Sequence, residues 1–127
     1  MSFTRSALRP VLHLRAPFSA RFQSSIAEVA ELNGFKELIA SPKLTVTDFY
    51  ATWCGPCKAI APVLAKFSEE YKDVQFLKVD VDAAQDIAME YGISAMPTFV
   101  LFKDDEPIGK IVGANPGALK QAIEQYK

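Results

Sequence analysis

Histidine is almost missing from this chain of 127 residues: the one it has, His13, stands close to the start. Cysteine is nearly as scarce, with only Cys54 and Cys57. A zinc centre needs four ligands, and beyond the cysteine pair the sequence offers only His13 as a further soft ligand, which argues against a site built within one chain. A cysteine hydrolase needs a histidine base beside its thiol, and downstream of residue 13 there is none. An iron–sulfur cluster shared between two chains stays open on these counts. In a chain with no secretory signal two cysteines read as catalytic more readily than structural, and the loop they would close stabilises by only about 2 kcal/mol in the chain-entropy picture. No apolar run approaches the roughly 20 residues that cross a bilayer, which predicts a soluble protein without a membrane partner.

Acid is also missing from the start of the chain, and arginine from all the rest. All four arginines (Arg5, Arg9, Arg15 and Arg21) precede the first acid, Glu28. Beyond them 10 lysines face 15 acids, a balance of −5. A body this acidic argues against nucleic acid, because phosphate contacts need clustered Lys and Arg. Residues 1–24 have no acid, are rich in Ser and Ala, and set Phe3, Leu8, Val11, Leu12 and Leu14 among the arginines. That is the composition of a mitochondrial transit peptide, and Pro10, His13, Arg15 and Pro17 deny the uninterrupted apolar centre of a secretory signal. The expectation is a removable segment 1–24, cut near Phe22 to Ser25, ahead of one domain at 25–127 in the mitochondrion, most simply in its matrix. The alternative is a basic arm that stays on.

The rest alternates strand-like and helix-like stretches. Ser25 to Val29 predicts an edge strand, and Asn33 is placed to cap a helix through Ala40, ended by Pro42. Leu44 to Tyr50 is apolar on both faces, as at the centre of a sheet covered by helices on each side. Cys54 to Lys72 predicts a helix with Pro62 in its interior, where one backbone hydrogen bond is lost and a bend is expected. Gln75 to Val81 reads as a strand, and Ala83 to Tyr91 as a helix closed by Gly92. Thr98 to Phe102 and Ile108 to Val112 flank a polar turn, and Asn115-Pro116 begins a last helix to Tyr126.

The two cysteines stand where the central strand gives way to a helix. At spacing i, i+3 they share one helix face, so their sulfurs can close a short disulfide ring or open to a dithiol. Free N–H groups and the helix dipole favour a thiolate at Cys54, the expected nucleophile, while Cys57, deeper along the helix, is the expected resolving thiol. Asp48 alternates with Leu44, Val46 and Tyr50, so a regular strand points its carboxylate into an apolar face. Burial there raises its pKa, and near Cys57 it becomes a candidate proton acceptor.

Trp53-Cys54-Gly55-Pro56-Cys57-Lys58 after Asp48-Phe49-Tyr50-Ala51-Thr52, with Met96-Pro97-Thr98 downstream and Gly113-Ala114 near the end, resembles the thioredoxin family from about Ile26 to Lys127. The resemblance implies an α/β thioredoxin fold, a central mixed sheet of about five strands flanked by four helices on both faces. It implies a thiol-disulfide oxidoreductase that reduces protein disulfides through Cys54 and Cys57, with Asp48 accepting the Cys57 proton. Lys78 matches the family's lysine near that carboxylate, and Gly55, Pro56 and Lys78 would tune the redox pair. A cis bond before Pro97 would free the Met96 backbone to pair with an extended target. Trp53, Ala95, Met96, Pro97, Gly113 and Ala114 would then form the contact surface. Tyr50 departs from the tryptophan of many thioredoxins, a change expected to touch packing more than chemistry.

The same resemblance implies a monomer with no bound cofactor. Its partner would be a thioredoxin reductase that uses NADPH and FAD, and its targets would include peroxiredoxins. Two other readings stand beside it. Protein disulfide isomerase domains usually carry histidine where this chain has Pro56. A binding module would keep its effect in a Cys54→Ser/Cys57→Ser variant.

Overall fold

The structure, a computed structural model, describes residues 25–127, so the transit-peptide reading and His13 lie outside the described residues. Five strands and four helices follow one another as β1 (Ile26–Glu28), α1 (Leu32–Ile39), β2 (Thr45–Tyr50), α2 (Gly55–Glu70), β3 (Gln75–Asp80), α3 (Gln85–Glu90), β4 (Thr98–Lys103), β5 (Glu106–Val112) and α4 (Pro116–Tyr126).

β2 is apolar on both faces, and it takes the centre of a mixed sheet ordered β1-β3-β2-β4-β5. It runs parallel to β3 and antiparallel to β4. On one face Val46, Phe76, Phe99 and Leu101 pack against Ile60, Leu64 and Phe67 of α2 and against Leu119 and Ile123 of α4. On the other, Phe49, Leu77, Val79, Val100 and Phe102 meet Phe35 and Ile39 of α1 and Ile87 of α3. Each such side chain contributes roughly 1.5–3 kcal/mol when fully buried, which is why the two apolar layers fix the position of β2 so firmly. Pro62 lies inside α2 without ending it.

The helix boundaries follow local chemistry in most places. Gly92, after α3, has φ +64°, and Asn115 caps α4 by accepting a hydrogen bond from the Ala118 N–H at 3.1 Å. The start of α1 differs from expectation. Asn33 lies within the helix, and the capping position belongs to Glu31, which is extended and makes no side-chain cap bond. Leu32 and Phe35 both pack into the core beneath the sheet, so burial of these two residues overrides the cap preference of Asn33. β5 also begins two residues before the expected Ile108. Asp104 and Asp105, with φ 52° and 71°, make a two-residue turn of the kind that matches the twist of paired strands, which brings Glu106 directly into the ladder. The tip is tied to the end of α1, where Asp105 N–H donates to the Ile39 carbonyl at 2.9 Å.

Candidate active site

β2 ends at Tyr50 and α2 starts at Gly55, so the short connection sets both cysteines at the carboxyl end of the central strand. Cys54 is the cap of α2, extended at φ −85° and ψ 115°, and Pro56 occupies the first turn, where its missing N–H leaves no helical bond unmade. Cys54 and Cys57 are joined in a disulfide with Cα atoms 5.3 Å apart. The Cys57 N–H donates to Cys54 Sγ at 3.1 Å. That donor and the positive end of the α2 dipole both point at the first sulfur, the arrangement that favours a thiolate there when the bond opens.

Depth does not separate the two cysteines as their places along the helix suggested, since each is 4% exposed. Cys54 is covered by Ala51 and by Met96, which the chain brings back from 42 residues away, and its Sγ lies 3.7 Å from the Met96 carbonyl oxygen. What separates them is their surroundings. Cys54 Sγ accepts the Cys57 N–H at the start of α2, between the exposed Trp53 and Gly55, and Cys57 lines a recess that contains an acid.

That acid is Asp48. It shares the α2 face of β2 with Val46 and Tyr50, is 2% exposed, and stands in register with Lys78 of β3 on one side and Phe99 of β4 on the other. With Tyr50, Cys57, Lys58, Ala61 and Lys78 it lines a recess of about 300 Å³. Its Oδ1 has no hydrogen-bond partner among the described residues. Burial, the largest effect, pushes the carboxyl up, Lys78 pulls it partly back and the charge of Glu28 adds to the rise, which together carry it from its ordinary 3.8 to about 7. A buried acid that holds its proton near neutral pH is suited to exchanging one with a thiol beside it.

Around Cys54 the expected contact surface is assembled from three chain segments. Trp53 is 67% exposed, and Gly55, Pro56, Ala95 and Ala114 are exposed as well. Met96 and Gly113 are half-buried and Pro97 is buried, so Pro97 supports the surface from beneath. The Met96–Pro97 bond is cis, as the resemblance implied. Gly113, at φ +100°, donates its N–H to the Pro97 carbonyl at 2.8 Å and so ties the last loop to this one.

Sequence reasoning missed three participants. Asp82 accepts the Trp53 indole N–H at 2.9 Å and fixes the ring, but nothing in its local pattern distinguishes it from a turn acid. Val112 is a large apolar side chain left 60% exposed beside Gly113. Glu28 accepts the Tyr50 hydroxyl on both carboxylate oxygens, at 2.9 and 2.8 Å, so Tyr50 is more than packing behind the motif.

The likenesses to known proteins agree with this geometry. Thioredoxin-3, mitochondrial, of Saccharomyces cerevisiae is 50% identical over 123 residues, 94% of this chain and 92% of that protein. The crystal structure of oxidised mitochondrial thioredoxin 3 from the same yeast is 52% identical with a TM-score of 0.76, over 80% of this chain and 95% of that one. A chain from a structural study of thiol resolution in a yeast mitochondrial 1-Cys peroxiredoxin, via glutathione and thioredoxin systems, is 51% identical with a TM-score of 0.77, over 80% of this chain and 95% of its own. The thioredoxin family model matches residues 25–125, from the first strand through the last helix, and this chain belongs to the thioredoxin family.

Proposed function

We propose that this thioredoxin is a general reductant of protein disulfides in mitochondria, with Cys54 as nucleophile, Cys57 as resolving thiol and Asp48 as the acceptor of the Cys57 proton. The Cys54 thiolate attacks one sulfur of a target disulfide and the other leaves as a thiolate, giving a mixed disulfide. Asp48 takes the proton of Cys57, whose thiolate then attacks Cys54 Sγ. The target leaves with both thiols reduced and the Cys54–Cys57 disulfide holds the two-electron oxidation. The observation that carries this reading is the recess itself: a 2% exposed carboxyl and the second cysteine line it together, while the Cys57 N–H at the start of α2 donates to the first sulfur.

Electrons return, in this reading, from NADPH through the FAD of a thioredoxin reductase, and this chain binds no cofactor of its own. It acts as a monomer. Lys78, Gly55 and Pro56 tune the pair, and Trp53, Ala95, Met96, Pro97, Gly113 and Ala114 receive the target. The likeness to a chain studied with a yeast peroxiredoxin favours peroxiredoxins among the targets. The test is NADPH oxidation by thioredoxin reductase with a disulfide protein as acceptor. Catalytic amounts of this chain are expected to accelerate it many-fold, and a rate equal to reductase alone overturns the reading.

Residues 1–24 are proposed as the transit peptide of a matrix protein, on their arginines, lack of acids and content of Ser and Ala. The mature chain is expected to begin between Phe22 and Ser25, just beyond Arg21. Mass spectrometry of the organellar protein reads this directly. A mitochondrial form that retains Met1 or Ser2, or a cytosolic protein, rules it out.

A further inference from the structure

Register places three ionisable residues in one row across three adjacent strands. Glu28 of β1 pairs with Lys78 of β3, and Lys78 pairs with Asp48 of β2, so all three side chains leave the same face of the sheet. Tyr50 lies two residues beyond Asp48 on that face. Its hydroxyl reaches Glu28, which means that its side chain crosses over β3 from β2 to β1. The ammonium of Lys78 rests 4.5 Å from the centre of the Tyr50 ring. The tyrosine therefore roofs the lysine and is pinned at its far end by the carboxylate of Glu28.

We propose that Glu28 and Tyr50 form a brace across the sheet that sets how readily Asp48 takes and releases a proton, making both positioning residues for the step at Cys57. The inference rests on the reading of Asp48 as the proton acceptor. Pinned by Tyr50, the carboxylate of Glu28 is held on the Asp48 side of the sheet edge, where otherwise an exposed glutamate samples solvent freely. The ring in turn limits where the Lys78 ammonium goes, so one hydrogen bond fixes both the negative and the positive charge nearest to Asp48. Among the described residues the groups around Asp48 are Lys78 from β3, Glu28 from β1, Tyr50 from its own strand, Cys57 and Lys58 from α2 and uncharged Phe99 from β4, with Asp80 of β3 paired beside Tyr50. Desolvation dominates the carboxyl, and Glu28 and Lys78 act on it in opposite directions.

The test is a pH titration of the Asp48 side-chain carboxyl by carbon-13 NMR in the oxidised full chain. Glu28→Gln keeps an acceptor for the Tyr50 hydroxyl but removes the charge. It is expected to lower the Asp48 midpoint by about 0.3 pH unit, the Coulomb effect of one charge at roughly 10 Å in a water-like medium. In a Tyr50→Phe background the same substitution is expected to move the midpoint by less than half as much, because the carboxylate is no longer held. An unmoved or raised midpoint in Glu28→Gln overturns the proposal, and an equal shift in both backgrounds reduces Glu28 to a distant charge acting without Tyr50. The rate of target release by Cys57, measured below the midpoint, is expected to rise about 2-fold in Glu28→Gln, that same shift read as a rate. A shifted carboxyl titration with an unchanged release rate supports the brace and overturns Asp48 as the acceptor, so the two ideas fail separately.

Discussion

Cys57→Ser will accumulate a covalent adduct in which Cys54 is joined to its target, whereas Cys54→Ser will form none and reduce nothing above background. The asymmetry follows from the surroundings of the two sulfurs. Cys54 caps α2, with the Cys57 N–H aimed at its Sγ, so the first position retains its electrostatic support when serine replaces Cys57. Removing the second thiol leaves the mixed disulfide without its resolving partner. Non-reducing gels after exposure of each variant to oxidised cell extract separate the two outcomes. Adducts formed through Cys57 alone reverse the assignment. Equal adducts from both variants mean that the helix start confers no preference.

Asp48→Asn will stabilise the domain above neutral pH and slow target release in the same molecule. Burial holds the folded-state pKa of this carboxyl at about 7 against an ordinary 3.8. Between those values the folded chain keeps a proton that the unfolded chain has lost. The stability associated with that proton is complete below about 3.8, declines as pH rises, and is gone once pH passes the folded value near 7. Lifting the group over this range corresponds to roughly 4 kcal/mol, the ceiling of what an uncharged replacement recovers. A protonated carboxyl and an asparagine amide bring much the same burial cost to a site whose Oδ1 has no hydrogen-bond partner among the described residues, so little change is expected at pH 4 and a gain of up to about 4 kcal/mol at pH 8. Denaturant melts across pH measure this half. Single-turnover kinetics measure the other: release by Cys57 is expected to fall at least about 10-fold, the lower end of what a positioned acid or base contributes, while attack by Cys54 is little changed. A variant no more stable at pH 8 and normal in release would mean that Asp48 is neither strained by its burial nor used.

Much of this was legible in the residue pattern because the relevant signals are local. Apolar side chains on both faces of Leu44 to Tyr50 announced a central strand, and the alternation around Asp48 announced its buried direction. The spacing of the cysteines announced their shared helix face. What escaped depends on distant parts of the chain. The equal burial of Cys54 and Cys57 comes from a loop 42 residues downstream of the first sulfur. The bond from Tyr50 to Glu28 spans an intervening strand that belongs to neither residue, so no window of sequence contains it. Asn33 misled for the converse reason: its local preference for a cap was outweighed by burial of Leu32 and Phe35, which only the packed core reveals.

β1 runs parallel to β3, and β3 to β2, so the described chain enters at the pole of the sheet opposite to the one where the sulfurs lie. Ser25 marks that entry: its N–H donates to Ser68 Oγ, near the far end of the helix that Cys54 begins. Along that helix the two points are separated by roughly 20 Å at 1.5 Å per residue. A tether attached ahead of Ser25, whether an affinity tag, a fused fluorescent domain or a linker to an electrode, therefore anchors the molecule by its base. The dithiol pole faces outward into solution, and immobilised protein keeps its reactive end turned toward whatever flows past.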